Sequence, residues 1–267
     1  MGGSLASEYK AQASRTRIGT DRFWLRADLG IEDVRREVMT HRSVPAGGEM
    51  QDNAAEQAPA TGEREGRTTR DEWLALAIAA LIADGIDRVK VQIIAKTLGV
   101  SRSSFYFFFE STKDLHAQML DFWLRKNTGP IIERAMRPSD TVTRGILNVF
   151  ECWLDLSLFD PQLDIAVRLW ARRSATVAAV VAQADEQRLG ALARMFTRHG
   201  FDAEDALIRA RVLYFTQIGH YTLDLREDVK ARFQNSAGYV RAFSGQDASA
   251  AEMETFRRFA RRFRPDI

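Results

Sequence analysis

The chain has 267 residues, 45% of them hydrophobic and 28% charged, with a formal net charge of +2. That mixture suits a globular protein of one large or two modest domains, and so mild a charge neither demands nor opposes a polyanionic partner. The single cysteine, Cys152, excludes an intrachain disulfide, no apolar run is long enough to span a membrane, and no apolar signal core stands near the start, so the expectation is a cytoplasmic protein.

Residues 1–66 read as a disordered leader. Ala46 to Gly66 is rich in Ala, Gly, Glu, Gln and Thr and holds almost nothing large and apolar. Ahead of it, Ile31, Val34 and Val38 stand at helical spacing. Arg15, Arg17, Arg22, Arg26, Arg35 and Arg36 could serve as a basic arm on phosphates. Order is expected from Thr68 or Thr69, where Thr69-x-x-Glu72 makes a capping box. The helix that follows is apolar from Trp73 to Ala83 and must be enclosed on most sides. Asp84-Gly85 ends it.

The most informative stretch is V-Q-I-I-A-K-T-L-G-V-S-R-S-S-F-Y-F-F-F, from Val91 to Phe109. The spacing predicts a short helix over Gln92 to Leu98, with Ile94, Ala95 and Leu98 on one face. Gly99 supplies the bend, Val100 an apolar plug and Ser101 an N-cap. A second helix is predicted from Arg102 to Phe109. Phe105 and Phe109 would point inward, and Arg102, Ser103, Tyr106 and Phe107 outward. F-Y-F-F-F alone also suits a buried strand, and the flanks decide for helix. Small polar residues at a helix start, followed by exposed aromatics, suit a helix that enters a DNA major groove.

Beyond it, Ser111 is expected to cap a helix from Thr112 to about Arg125, broken by Asn127-Thr128-Gly129-Pro130. Only helices are predicted thereafter: Thr141 to Leu158, Gln162 to Arg173, Ala175 to His199, Ala203 to Leu225, Glu227 to Ala242 and Ala248 to Arg262. The fold class is all-α: an N-terminal three-helix helix-turn-helix domain, then a C-terminal helical domain.

The ordered set Asp84-Gly85, Ile94-Ala95, Gly99-Val100-Ser101, Phe105-Tyr106, Phe109, Ser111 and Leu115 resembles the DNA-binding domain of the TetR family of bacterial transcriptional regulators. The resemblance covers roughly Arg67 to Asn127. A weaker likeness to the family's ligand domains lies at Pro161 to Ala171. The resemblance implies residues 67–127 as the DNA-binding domain, with its motif at 90–109, and 128–267 as the effector-binding and dimerisation domain. The chain departs from the family at three places. Phe108 stands where His or Tyr is usual, Thr112 where a phosphate-contacting Lys is usual, and Lys90 where Ser or Thr is usual.

Arg102 is the first choice for base contact, because its guanidinium can fork onto guanine O6 and N7. Ser103 and Ser104 could bond phosphate or base, Tyr106 phosphate, and Phe107 a thymine methyl. Thr68, Arg70, Lys90 and Lys113 are phosphate candidates. A small, largely apolar effector is expected among Phe150, Trp153, Leu154, Trp170, Tyr214 and Tyr221. Val180, Leu192, Leu207, Leu213 and Ile218, on the two long helices after Ala175, point to a two-fold homodimer. No HExxH, GxSxG or phosphate-cradling loop occurs, so no enzyme, metal or cofactor is expected. The function expected is a ligand-responsive repressor that binds a palindromic operator as a dimer. The alternative is an all-α interaction or ligand-carrier module.

Overall fold

Thr69 opens the first helix as a capping box: its hydroxyl accepts from Glu72 N, and its own N–H donates to Glu72 Oε2 at 2.7 Å. The computed structural model describes residues 68–223, 227–263 and 265; the leader and its arginines lie outside the described residues. Helix α1 (Arg70–Asp84) buries Trp73, Ala77 and Leu81, and Gly85 ends it at φ 82. A single 3-10 turn, Ile86–Arg88, leads to α2 (Val91–Leu98). Lys90 gives α2 no side-chain cap. Gly99 takes the left-handed conformation at φ 68, which only glycine adopts without strain, and turns the chain into the segment Arg102–Phe107.

That segment is a 3-10 helix of six residues rather than an α-helix to Phe109. The reason lies in its serines. Ser104 Oγ donates to Ser101 O at 2.6 Å and Ser104 N to the same carbonyl at 3.2 Å, which favours the tighter turn. Ser101 does not cap it; its hydroxyl is 2.8 Å from Ser103 Oγ. Ser111 does cap α3 (Thr112–Trp123), accepting from Asp114 N.

The break expected at Asn127-Thr128-Gly129-Pro130 is absent. The chain winds on through a π-turn, Leu124–Thr128, into α4 (Gly129–Met136). Pro130 sits in the first turn of α4, where no N–H is required. Asn127 is buried, with its side chain tied to the backbone of Asp160 at 2.7 and 3.1 Å. A residue so held cannot act as a solvent turn.

Then follow α5 (Val142–Leu154), α6 (Pro161–Ala171), α7 (Ala175–Arg198) and α8 (Ala203–Thr222). Asp155 stops α5 short of the expected Leu158 by accepting from Ser157 N at 2.9 Å. The single helix expected over 227–242 is two, α9 (Val229–Gln234) and α10 (Ser236–Ser244), joined at Asn235. Helix α11 (Ala250–Ala260) closes the series. Among the described residues there is no strand, and the fold is all-α. The core of the C-terminal part gathers Ile146, Leu192, Met195, Phe196, Leu213 and Val240, all fully buried. Gly145 lets α5 approach α7, since a Cβ there would stand 3.1 Å from Met195 Sδ.

Candidate nucleic-acid interface

Phe105 and Phe109 stack at 5.1 Å with no more than 1% exposure, and Trp73 of α1 meets Phe105 edge-on at 5.4 Å. This aromatic anchor fixes which face of Arg102–Phe107 turns outward. Arg102 and Ser103 are exposed, Tyr106 is 59% exposed and Phe107 85% exposed. A phenyl ring that open to water costs free energy unless something covers it. Ser104, expected to bond phosphate or base, is turned inward. It is 4% exposed and its hydroxyl is committed to Ser101 O, so it shapes the segment from within. Lys90 and Lys113, at the starts of α2 and α3, are exposed. Thr68 is half-buried, and exposed Arg70 lies over the Phe109 ring at 5.4 Å. Phe108 is half-buried and offers no hydrogen bond to a phosphate.

The domain is fastened to the helices behind it by buried polar contacts that periodicity could not reveal. Trp123, at the end of α3, donates Nε1 to Asp164 Oδ1 at 2.9 Å. Arg188 of α7 is fully buried. It donates to Thr128 Oγ1 at 2.8 Å, to Tyr214 Oη at 2.7 Å and to Asp164 Oδ1 at 3.2 Å, with its guanidinium 4.9 Å over the Trp123 ring. Arg168 pairs with Asp164 at 2.8 Å and Asp185 at 2.7 Å. Burial alone would raise the Asp164 carboxyl, but the charges of Arg188 and Arg168 outweigh it and hold it low. Burial pushes the Tyr214 phenol up. The signal available in sequence was the i, i+4 pair Asp164 and Arg168. Nothing in its sequence surroundings singles out Arg188.

A cleft of about 540 Å³, its solvent-filled mouth included, lies among α5, α8, α9, α10 and α11. Phe150, Trp153 and Leu154 line it, joined by Phe243 and Phe256. The other three expected pocket residues are not among those that line it. Trp170 packs edge-on against His116 of α3 at 5.1 Å, Tyr214 belongs to the Arg188 network, and Tyr221 stacks its ring on Phe159 at 5.7 Å while its hydroxyl meets Gln217 and Arg232. The polar wall that sequence reasoning missed is Gln217, His220 and Arg232. Cys152 is fully buried, and burial pushes its thiol up to about 12. Among the described residues no group of three His, Cys, Asp or Glu side chains could hold a metal, and no helix is long and apolar enough to cross a membrane.

Residues 74–119 match the model of the bacterial regulatory proteins of the tetR family. No curated protein matches the chain. A crystal structure of a transcriptional regulator from Rhodococcus sp. Rha1 is similar at 17% sequence identity and a TM-score of 0.49, covering 72% of this chain and 97% of that one. The matched segment holds most of α1, the Gly99 turn, the exposed Arg102–Phe107 face and the Phe105–Phe109 stack, and over these residues the chain is similar to the bacterial regulatory proteins of the tetR family.

Proposed function

We propose that the chain is a ligand-responsive repressor that binds a palindromic operator as a two-fold homodimer. Residues 67–127 form the DNA-binding domain and 128–267 the effector-binding and dimerisation domain, with 1–66 contributing a basic arm. The observation that carries this reading is the outward face of Arg102, Ser103, Tyr106 and Phe107, set on a buried aromatic anchor. Arg102 reads a guanine, Phe107 covers a thymine methyl, and Ser103 and Tyr106 bond the backbone. Thr68, Arg70, Lys90 and Lys113 add phosphate contacts. One such module reads only a few base pairs, so a useful specificity ratio needs two copies. The reading places the protein in the cytoplasm, with no catalysis of its own.

Regulation follows as a population shift. An effector in the cleft would favour a state in which the two DNA-reading segments are spaced wrongly for successive major grooves. It weakens DNA binding only by its differential affinity for that state. The Trp123–Asp164 contact and the Arg188 network support such coupling, since they tie α3 to α6, α7 and α8.

The experiment is selection of bound fragments from random duplex DNA, followed by titration of two variants against the selected site. Arg102→Ala is expected to weaken binding by about 1–3 kcal/mol and to relax preference at one base pair. Lys113→Ala is expected to weaken all sequences alike and lower the salt slope by about one ion. If both variants keep the parent's affinity and salt dependence, the docking model is wrong.

A further inference from the structure

The cleft has two unlike walls. Phe150, Leu154, Phe243 and Phe256 make one of carbon, while Gln217, His220 and Arg232 line the other. Arg232 is half-buried, and its Nη2 donates to Gln217 Oε1 at 2.6 Å while its guanidinium lies 5.6 Å from the Tyr221 ring. Both partners are neutral. Among the described residues no carboxylate forms an ion pair with Arg232. Of the two acids just before it in sequence, Asp228 is exposed and Glu227 stands 3.9 Å from His220 Nδ1 and accepts from Asn235 Nδ2 at 3.5 Å.

Two further donors on the same cleft are poorly answered. Gln217 is 6% exposed, and its Nε2 lies near the Tyr221 hydroxyl, which Arg232 also meets, but outside good hydrogen-bond geometry. The indole Nε1 of Trp153 is buried without a partner. A guanidinium short of a counter-charge and two N–H donors without a well-placed acceptor are costly in a partly dry cleft. They would be answered together by one planar anion.

We propose that the effector is a monocarboxylic acid with an apolar body, its carboxylate on Arg232 with Gln217 and Trp153 as further donors, and its body against Phe150, Phe243 and Phe256. The proposal rests on reading the cleft as the effector site. The guanidinium fork matches a carboxylate, and the two uncharged N–H groups supply acceptor-specific contacts. A neutral hydrocarbon would leave all three donors poorly answered, a cation would meet Arg232, and a second negative charge would fall on the carbon wall.

The test uses the full-length protein and four probes: octanoate, 1-naphthylacetate and the primary amide of each. Binding is measured by calorimetry, with and without the selected operator duplex. The expected result is that at least one acid binds at least tenfold tighter than its amide. Arg232→Met removes that preference, and Arg232→Lys keeps part of it. The two acids separate an acyl from an aromatic body. Equal affinity of acid and amide overturns the carboxylate assignment and leaves the effector cleft standing. Acid preference untouched in Arg232→Met overturns the site. An acid preference that depends on Arg232 but is identical with and without operator upholds the carboxylate site and refutes the effector role. Failure of all four probes to bind at millimolar concentration refutes both. The acid-to-amide ratio of the parent protein needs no variant, so a misfolded Arg232→Met would not shelter the proposal.

Discussion

At Glu252 burial works against charge, yet hydrogen bonds from Thr141, Ser249 and Thr143 outweigh it and hold the carboxyl down at about 2. The bond from Thr143 spans 2.8 Å and ties α11 to the start of α5. A folded-state pKa below the unfolded value means that the carboxylate's contribution is complete above about 4.5. It is lost as pH falls through the interval down to about 2. Glu252→Ala is therefore expected to lower unfolding free energy near neutral pH by about 1 kcal/mol, as for a lost cap and its bonds. In urea unfolding the gap between variant and parent should close between pH 4.5 and 2. A gap that stays constant over that interval would show that the charge does not contribute. Other single residues differ in how readable they are. Phe105 and Phe109 were legible as inward residues because four-residue spacing puts both on one face, and both are buried. Ser104 was not legible, since its hydroxyl found a carbonyl three residues back, and spacing says nothing of local competition of that kind.

Most helices could be read from apolar spacing and caps, because Asp160, Ser174, Asp202 and Ser249 each accept the backbone N–H groups that such residues favour. What escaped were places where tertiary bonds overrode local chemistry, as at Asn127, or where a run of helix formers concealed a join, as at Asn235. The polar wall of the cleft escaped for a related reason. Arg232 sat in an unremarkable amphipathic pattern, and the walls it completes come from segments some eighty residues apart, Phe150 and Arg232. The element with most left to explain is α8. Leu213 and Tyr214 go into the core, but Leu207, Ile208, Val212 and Phe215 are 37%, 48%, 47% and 55% exposed along one stripe. In the proposed dimer that stripe meets its symmetry mate. Of the residues expected to pair, Leu192 and Leu213 instead fill the chain's own core, with no exposure. Ile208→Glu combined with Phe215→Glu should sediment as a monomer at micromolar concentration with helix content unchanged, and lose about tenfold or more in operator affinity. A parent protein that is itself monomeric, with operator binding intact, would end the dimer reading.

On the scale of the whole molecule, buried charge decides how the DNA-reading end is held to the rest. Arg188, Asp164, Arg168, Asp185 and Tyr214 satisfy one another, and Trp123 and Thr128 join them from the domain's last helix and the turn after it. Removing one member leaves another charge buried, which costs far more than the intact pair contributes. Arg188→Met is expected to lose about 3 kcal/mol in chemical unfolding, and Asp164→Asn added to it to restore part of that loss. Strict additivity of the two changes would mean that the network is not a unit. Between this network and the DNA-reading segment lies the π-turn Leu124–Thr128, closed by Gly129 N–H on Leu124 O. A π-turn is an α-helix holding one residue too many. Each residue of an α-helix advances its face by about 100°, so the surplus sets the angular phase between α3 and α4. Were the turn to tighten to α geometry with every residue kept, Ile131 and Ala135, both buried, would swing by about 100° from the core they fill. The turn is thus a phase-setting gear in the chain: through it the angle at which the DNA-reading surface is presented is written in a count of residues rather than in the identity of any one of them.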